Sequence, residues 1–454
     1  MMTMELSDAA QVLKAKQVGD DVVFRGVSTD TRTLAAGNLF VALRGPNFDG
    51  HEYLGQAQQK GAAAAAVSHV SAAGLPQLEV EDTRLALGEL AAHWRRQFDL
   101  PLVAVTGSNG KTTVKEMLAA ILNRCGTTWV TPGNFNNEIG VPHTLFGLEK
   151  GHDYAVLELG ANHPGEIAYL TGMVAPTVAV INNAAAAHLE GFGSMEGVAK
   201  AKGELFDSAG PDTTCVINAD DDFAALWQTL AAPRPVLTFG LEAPADISAD
   251  WRGDSDASEL TLRTAQGTAA TVLDLPGRHN VMNALAASAT ALALGVDLDT
   301  IAAALATVRP VHGRWETQVG IGGAQLIDDT YNANPASLQA GLAVLAAADA
   351  ETWLVLGDMG ELGERGEPLH RAVGKAAHRA GVQRLFALGP LAALAADTFG
   401  EGAQAFDDVG ELSRVLRQSV HAGVTVLIKG SRCMHMERVV DALRAGRSDS
   451  GGRR

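Results

Sequence analysis

Residues 101–116 read Pro-Leu-Val-Ala-Val-Thr-Gly-Ser-Asn-Gly-Lys-Thr-Thr-Val-Lys-Glu. An apolar run ends in a short glycine loop, and the loop opens into an apolar-periodic segment over 110–124. Buried strand, tight turn, helix is the way into a parallel α/β layer. The backbone amides of such a loop, and of the helix N-terminus behind it, point at an anion. Gly107, Ser108, Asn109, Gly110 and Thr113 are therefore candidates to cradle the phosphates of ATP. Lys111 is placed to neutralise the β/γ-phosphates, and the Thr112 hydroxyl to sit on Mg²⁺. The loop is shorter than the common pattern, with only Ser108 and Asn109 between Gly107 and Gly110. An ordinary strand-to-helix turn would leave such a lysine solvated and idle. The flanking strand and helix favour the nucleotide.

The rest of the chain repeats this alternation. Over 454 residues, domains of about 100–200 residues give about three. Residues 1–82 read as a small α/β unit, with strands at 22–28, 39–43 and 64–69 and an Ala-rich helix at 54–65. The segment 82–97 reads as an amphipathic helix with Leu85, Leu87, Leu90 and Trp94 on one side. Apolar runs at 101–106, 154–159, 176–181 and 214–218 predict a parallel sheet buried on both faces. Residues 241–275 alternate differently and predict a small antiparallel insert, with helices following at 279–294 and 298–307. Pro310 and Gly313 mark a boundary. Beyond it, runs at 325–328, 352–357, 384–388 and 424–428 predict a second doubly wound α/β domain. The expected division is 1–82, 83–310 and 311–454. The Gly/Ser/Arg-rich tail from Ser448 is expected to fray.

Composition closes off other classes. A net charge of −17 argues against a nucleic-acid partner. No apolar run approaches the roughly 20 residues that cross a bilayer, so no stable membrane insertion is expected. The N-terminus lacks the basic and apolar regions of a signal peptide. The three cysteines, Cys125, Cys215 and Cys433, make neither a metal spacing nor a disulfide framework, and point to the cytoplasm.

Further polar clusters lie at strand ends, where open α/β sheets put their ligands. Glu158 ends one run, and a carboxylate there can hold Mg²⁺ beside the loop; alone, it could equally face solvent. His188 follows another run, where a lone histidine is more often structural. Lys200 and Lys202 share a helix, usually a solvated face.

Taken together, Thr-Gly-Ser-Asn-Gly-Lys-Thr-Thr (106–113), Gly-Asn-Phe-Asn-Asn-Glu-Ile-Gly (133–140), Glu-Leu-Gly-Ala-Asn (158–162), Ala-His-Leu-Glu-Gly-Phe-Gly (187–193) and Pro-Gly-Arg-His-Asn-Val-Met-Asn-Ala (276–284) resemble the Mur ligase family, in order along the chain. These enzymes extend the peptide of the bacterial cell-wall precursor. The resemblance implies three domains: a small α/β N-terminal domain for the UDP-sugar, a central P-loop ATPase-like domain with a parallel or mixed sheet, and a C-terminal Rossmann-like α/β domain. It implies that Thr112, Glu158 and His188 hold Mg²⁺, with Lys202 joining them as a carbamate. Asn280 then meets the adenine, Arg314 the γ-phosphate and Asp329 the ribose, with Asp328 leaving that last position uncertain by one. Lys111, His188, Lys202 and Arg314 become the catalytic set.

The resemblance also bears on the substrates. Ser28, Thr29, Asp30 and Arg32, with Asp49-Gly50-His51, resemble a uridine-diphosphate site; a polar β-turn is the plainer alternative. Asn134 and Asn137 fall in the same substrate group. The segment 329–337 resembles that of the member that adds D-alanyl-D-alanine to UDP-N-acetylmuramoyl-tripeptide, which implicates Tyr331, Asn332 and Asn334. Lys429 and Arg432 resemble a C-terminal motif facing the substrates. A monomer making ADP and phosphate is expected. The rivals are a diaminopimelate- or lysine-adding relative, a folylpolyglutamate synthetase, and a non-catalytic nucleotide-gated binding protein.

Overall fold

The computed structural model describes residues 2–254 and 256–446; the tail 448–454, expected to fray, lies outside them. Three main sheets follow one another along the chain.

The first has five strands in the order Lys16–Val18, Gln77–Glu79, Ala64–Val67, Leu39–Val41, Val27–Ser28. All pairs are parallel except that of the first two. The single strand expected over 22–28 is two. Gly26, at φ +74°, breaks it, and Val23–Arg25 pairs instead with Thr3–Glu5. The helix expected over 54–65 ends at Gln59. Gly61 at φ +85° turns the chain, and the alanines after it are buried as a strand, a role their small side chains permit as readily as a helix.

Asp82 caps the connecting helix Thr83–Arg95 by accepting from the amides of Arg84 and Leu85, at 2.7 and 3.1 Å. Leu87 and Leu90 are buried beneath it. Leu85 is 47 % exposed, because two residues along a helix is more than half a turn.

The second sheet has nine strands. Six run parallel in the order Thr128–Val130, Tyr154–Glu158, Leu102–Thr106, Val178–Ile181, Thr214–Asn218, Val236–Phe239. The 241–275 segment does form antiparallel strands, Ile247–Gly253, Ser258–Thr264 and Gly267–Leu273. They continue this sheet rather than stand apart from it. Burial on two faces is explicit in strand Leu102–Thr106. Leu102 and Ala104 join one core with Leu87, Leu170 and Val198. Val103 and Val105 join the other with Val114, Leu118 and Leu285. The chain leaves this strand in one direction and later returns on its other side, which makes it the switch point where such sheets open a crevice.

The third sheet has the order Glu316–Val319, Gln325–Asp329, Val424–Lys429, Glu351–Gly357, Arg384–Leu388, Ala403–Phe406. Only the first strand is antiparallel. Helices cover both faces. Among the described residues, no helix is long and apolar enough to cross a membrane.

Candidate active site

Strand Leu102–Thr106 runs into two glycines with positive φ, Gly107 at +147° and Gly110 at +78°, which other residues avoid. At Gly110 space forbids a side chain as well. A Cβ there would lie 2.2 Å from Asn283 Oδ1 and 2.5 Å from Asn182 Nδ2. Those asparagines belong to a set of amides that clamps the loop. Asn182 Nδ2 donates to the Asn109 carbonyl and to Asn283 Oδ1, at 2.9 and 2.8 Å. Asn283 Nδ2 donates in turn to Asn280 Oδ1 at 3.2 Å. Asn183 accepts from the Asn109 amide and donates to its carbonyl. The Ser108 hydroxyl exchanges hydrogen bonds with the Ala185 backbone. The loop is thus held by its own surroundings.

Lys111 opens helix Lys111–Leu122, and its Nζ donates to the Gly107 carbonyl at 2.8 Å. Burial lowers its pKa, the Glu158 carboxylate opposes that, and Arg314 adds to it. Thr112 Oγ1 donates to Glu158 Oε2, and Asn136 Nδ2 to Glu158 Oε1, both at 2.8 Å. Glu158 is buried, and the two donors fix how its carboxylate points. Asn136 lay within a quoted motif, but nothing in the sequence separated it from Asn134 and Asn137. Asn137 Oδ1 instead accepts from the amides of Ile139 and Gly140, at 3.3 and 2.9 Å, ahead of helix Gly140–Phe146.

His188 sits at φ +53°, uncommon for a residue with a side chain. Its Nδ1 lies 2.6 Å from Glu361 Oε2. This contact holds the Glu361 carboxyl below its ordinary range. Lys202 is buried too, with its Nζ 5.4 Å over the Phe192 ring, and no hydrogen bond or ion pair reaches it among the described residues. Burial, reinforced by Lys111, pushes its pKa down to about 7. Lys200 on the same helix is exposed.

The third sheet supplies the facing wall. Arg314 stacks over the Tyr331 ring, 4.1 Å to its centre. Lys429, buried, pairs with Asp329 and donates to the Asn332 carbonyl at 2.9 Å. Asn334 caps helix Pro335–Leu345, and its Nδ2 crosses to Asn109 Oδ1 at 2.7 Å. A cleft of about 720 Å³ lies between the sheets, lined by Lys111, Glu158, His188, Asn280, Arg314, Asp329, Tyr331, Asn332, Asn334 and Lys429, with Asn134, Asn136 and Glu361. Burial pushes His279, also on its wall, down to about 4.

Other expected residues lie elsewhere. Arg432 does not line the cleft and pairs with Glu437 at 3.2 Å. Ser28, Thr29, Asp30 and Arg32 cluster on the first sheet, away from the cleft lining. Arg32 pairs with Asp30 at 2.7 Å, and Thr29 Oγ1 meets His143 Nε2 of the central unit at 3.0 Å. The alternative of a polar turn describes part of this local geometry: Ser28 Oγ donates to the Asp30 carbonyl. Asp49-Gly50-His51 also makes a turn. Asp49 accepts from the His51 amide, and a Cβ on Gly50 would meet the Leu43 backbone at 2.7 Å.

Comparison with known proteins bears on this arrangement. Three family domains match in order: "Mur ligase family, catalytic domain" over 23–95, "Mur ligase middle domain" over 105–291 and "Mur ligase, glutamate ligase domain" over 313–432. The UDP-N-acetylmuramoyl-tripeptide–D-alanyl-D-alanine ligase of Escherichia coli (strain K12) is 45% identical over 98% of this chain and 99% of its own. That of Haemophilus influenzae is 41% identical, with the same shares covered. A crystal structure of MurF from Acinetobacter baumannii superposes with a TM-score of 0.92 at 36% identity, over 97% of this chain and 98% of that one. The MurF ligase of Thermotoga maritima in complex with ADP superposes with a TM-score of 0.82 at 28% identity, over 92% and 96%. Domain order, full-length likeness and shape agree: the chain belongs to the Mur ligase family and is of the MurF type.

Proposed function

We propose that this chain uses ATP to join the amine of D-alanyl-D-alanine to the free terminal carboxylate of UDP-N-acetylmuramoyl-tripeptide, in peptidoglycan precursor synthesis. The 45% identity over 98% of the chain carries this reading. A carboxylate is a poor electrophile, because its leaving group would be oxide. Transfer of the ATP γ-phosphoryl group makes an acyl phosphate, the dipeptide amine attacks it, and phosphate departs with ADP already formed. Lys111 and Arg314 bring two cations to the phosphoryl group as its charge develops. The loop Gly107–Thr113, with the helix N-terminus behind it, holds the phosphates, Asn280 the adenine and Asp329 the ribose. Tyr331, Asn332 and Asn334 face the reacting end, with Lys429 holding the Asn332 carbonyl.

Mg²⁺ fits the residues present. The buried Glu158 carboxylate offers hard oxygen, the Thr112 hydroxyl adjoins it, and His188 lines the same cleft. When bound, the ion offsets charge on the phosphates. Lys202 has the chemistry to complete the set. A buried lysine with its pKa pushed down to about 7 keeps a neutral amine that can add CO₂, and the resulting carbamate supplies an anion.

Residues 1–82 take the UDP end through Ser28, Thr29, Asp30 and Arg32, residues 83–310 bind ATP, and residues 311–454 bring in the dipeptide. The three sheets each fall within one of these spans. Closure of the last unit on the cleft excludes water from the acyl phosphate. On this reading the chain works as a monomer in the cytoplasm. The test is product analysis by mass spectrometry with the purified nucleotide tripeptide. Pentapeptide, ADP and phosphate are expected. AMP as product, or a single amino acid added in preference to the dipeptide, overturns the reading.

A further inference from the structure

We propose that His312, Glu316 and Asp328 form a second cation site, for a divalent first-row transition ion, where the chain enters the third sheet. None of the three lines the ligase cleft, though Val311, Trp315 and Asp329 beside them in sequence do. One nitrogen or oxygen from each of the three residues lies within 4.8 Å of the other two.

The register makes the problem that a cation solves. Glu316 and Asp328 stand directly opposite on neighbouring antiparallel strands, where like charges repel. Asp328 is fully buried. Its Oδ1 accepts from the Thr330 hydroxyl and amide, at 2.6 and 3.2 Å. Its Oδ2 is buried with no hydrogen-bonding partner. A carboxylate oxygen left this way loses its hydration without replacement. Among the described residues, no lysine or arginine pairs with either carboxylate. The nearest positive partner is the exposed His312, whose Nδ1 lies 2.8 Å from Glu316 Oε2. A cation bound there balances the opposed carboxylates and gives Oδ2 a partner.

The three donors stand on fixed backbone. His312 lies in a tight turn closed by the Arg314 amide on the Val311 carbonyl at 2.8 Å, and the Tyr331 amide pins Gly313 at 3.0 Å. Glu316 follows Trp315, a buried residue held at φ +58°. A bulky side chain at positive φ is strained, and this one sets Glu316 back beside His312. One imidazole nitrogen with two carboxylate oxygens suits Zn²⁺, Mn²⁺ or Co²⁺. Ca²⁺ prefers a larger shell made of oxygen alone. Bound ion would tie the linker to the edge of the third sheet and so restrain how that sheet moves against the cleft.

The experiment titrates Zn²⁺ and Co²⁺ into the full chain, stripped with a chelator and held in excess Mg²⁺. A His188→Ala background keeps transition ions out of the ligase cleft. Calorimetry should find one ion per chain, and Co²⁺ should gain visible absorption. His312→Gln, an exposed change that leaves the fold intact, should weaken binding at least tenfold, as should Glu316→Gln. Zn²⁺ should raise Tm in the parent and not in His312→Gln. No ion bound in the His188→Ala protein, or equal affinity after His312→Gln, overturns the proposal.

Discussion

His188 Nδ1 and Glu361 Oε2 stand 2.6 Å apart across the boundary between the second and third sheets. Both residues hold left-handed backbone, at φ +53° and +61°, each at roughly 1–3 kcal/mol of strain. The Glu190 amide donates to the Glu361 carbonyl at 3.3 Å, so main chain and side chain meet at one point. A carboxylate from the third-sheet unit thus reaches the imidazole of a proposed metal ligand. Glu361→Gln keeps the shape and removes the charge. A fall of about tenfold in kcat is expected, near 1.4 kcal/mol, with KM for the nucleotide tripeptide unchanged. Glu361→Asp should fall between. Steady-state kinetics decide it, and an unchanged kcat removes Glu361 from the closed site.

Lys202 and Lys200 share a helix and differ in burial. A pKa pushed from 10.5 to about 7 raises the neutral, CO₂-reactive fraction at neutral pH on the order of 10³-fold. Lys202→Ala should abolish activity, and acetate or formate should restore part of it. Lys200→Ala should behave as wild type. In the parent, added CO₂ should raise activity more above pH 7 than below, because the amine must be neutral to react. Intact activity in Lys202→Ala, or no response to CO₂ depletion, removes the carbamate.

Why some of this was readable and some was not follows from particular residues. Strand Leu102–Thr106 announced itself, because both its faces are buried and every residue is apolar or small. Thr128–Val130 and Val236–Phe239 did not, being three and four residues long and mostly half-buried. The run of alanines near 62–66 carried no preference between helix and strand. In the cleft, Lys111 and Glu158 were legible from type and place, and Asn280 only through the family resemblance. Asn136 was not, since three asparagines in four positions look alike until the fold turns one onto Glu158. The Glu361 contact spans 173 residues of separation from His188, and no local pattern encodes such a meeting.

Asn136 Nδ2 is one of the two donors that aim the Glu158 carboxylate. Removing a partner of this kind typically weakens metal binding by about 10–100-fold. Asn136→Ala should therefore raise the Mg²⁺ concentration for half-maximal activity about tenfold or more, while saturating Mg²⁺ recovers most of kcat. Asn137→Ala, which loses the bonds from the Ile139 and Gly140 amides and not a contact to Glu158, should lower Tm and leave the Mg²⁺ dependence alone. The reverse pattern would reassign both asparagines.

Lys111→Ala removes a charge from the transferring phosphoryl group. The loss should be several kcal/mol of transition-state stabilisation, on the order of 10²-fold or more in kcat. The amide clamp on Asn109 does not use Lys111, so the loop should keep its shape and the variant its Tm. Near-normal kcat in the folded variant would remove Lys111 from the reaction.

Asp49 gives a prediction for stability. Its carboxylate accepts from the His51 amide at 3.0 Å, from His51 Nδ1 at 2.6 Å and from Arg44 at 2.7 Å. The Ser68 amide donates to His51 Nε2 at 2.9 Å, which leaves the ring proton on Nδ1, facing Asp49. Hydrogen bonds from His51, then the one from Arg44, hold the Asp49 carboxyl well below its ordinary 3.8. A carboxylate depressed in the folded state adds stability above its unfolded pKa and loses it as pH falls through the folded value. Asp49→Asn should therefore lower Tm near pH 7 and lose less than the parent on acidification below about pH 4, so that the two melting curves converge. Thermal melts of the full chain across that range read this directly. A Tm difference that stays constant from neutral pH into acid would show that the turn needs the shape of Asp49 and not its charge.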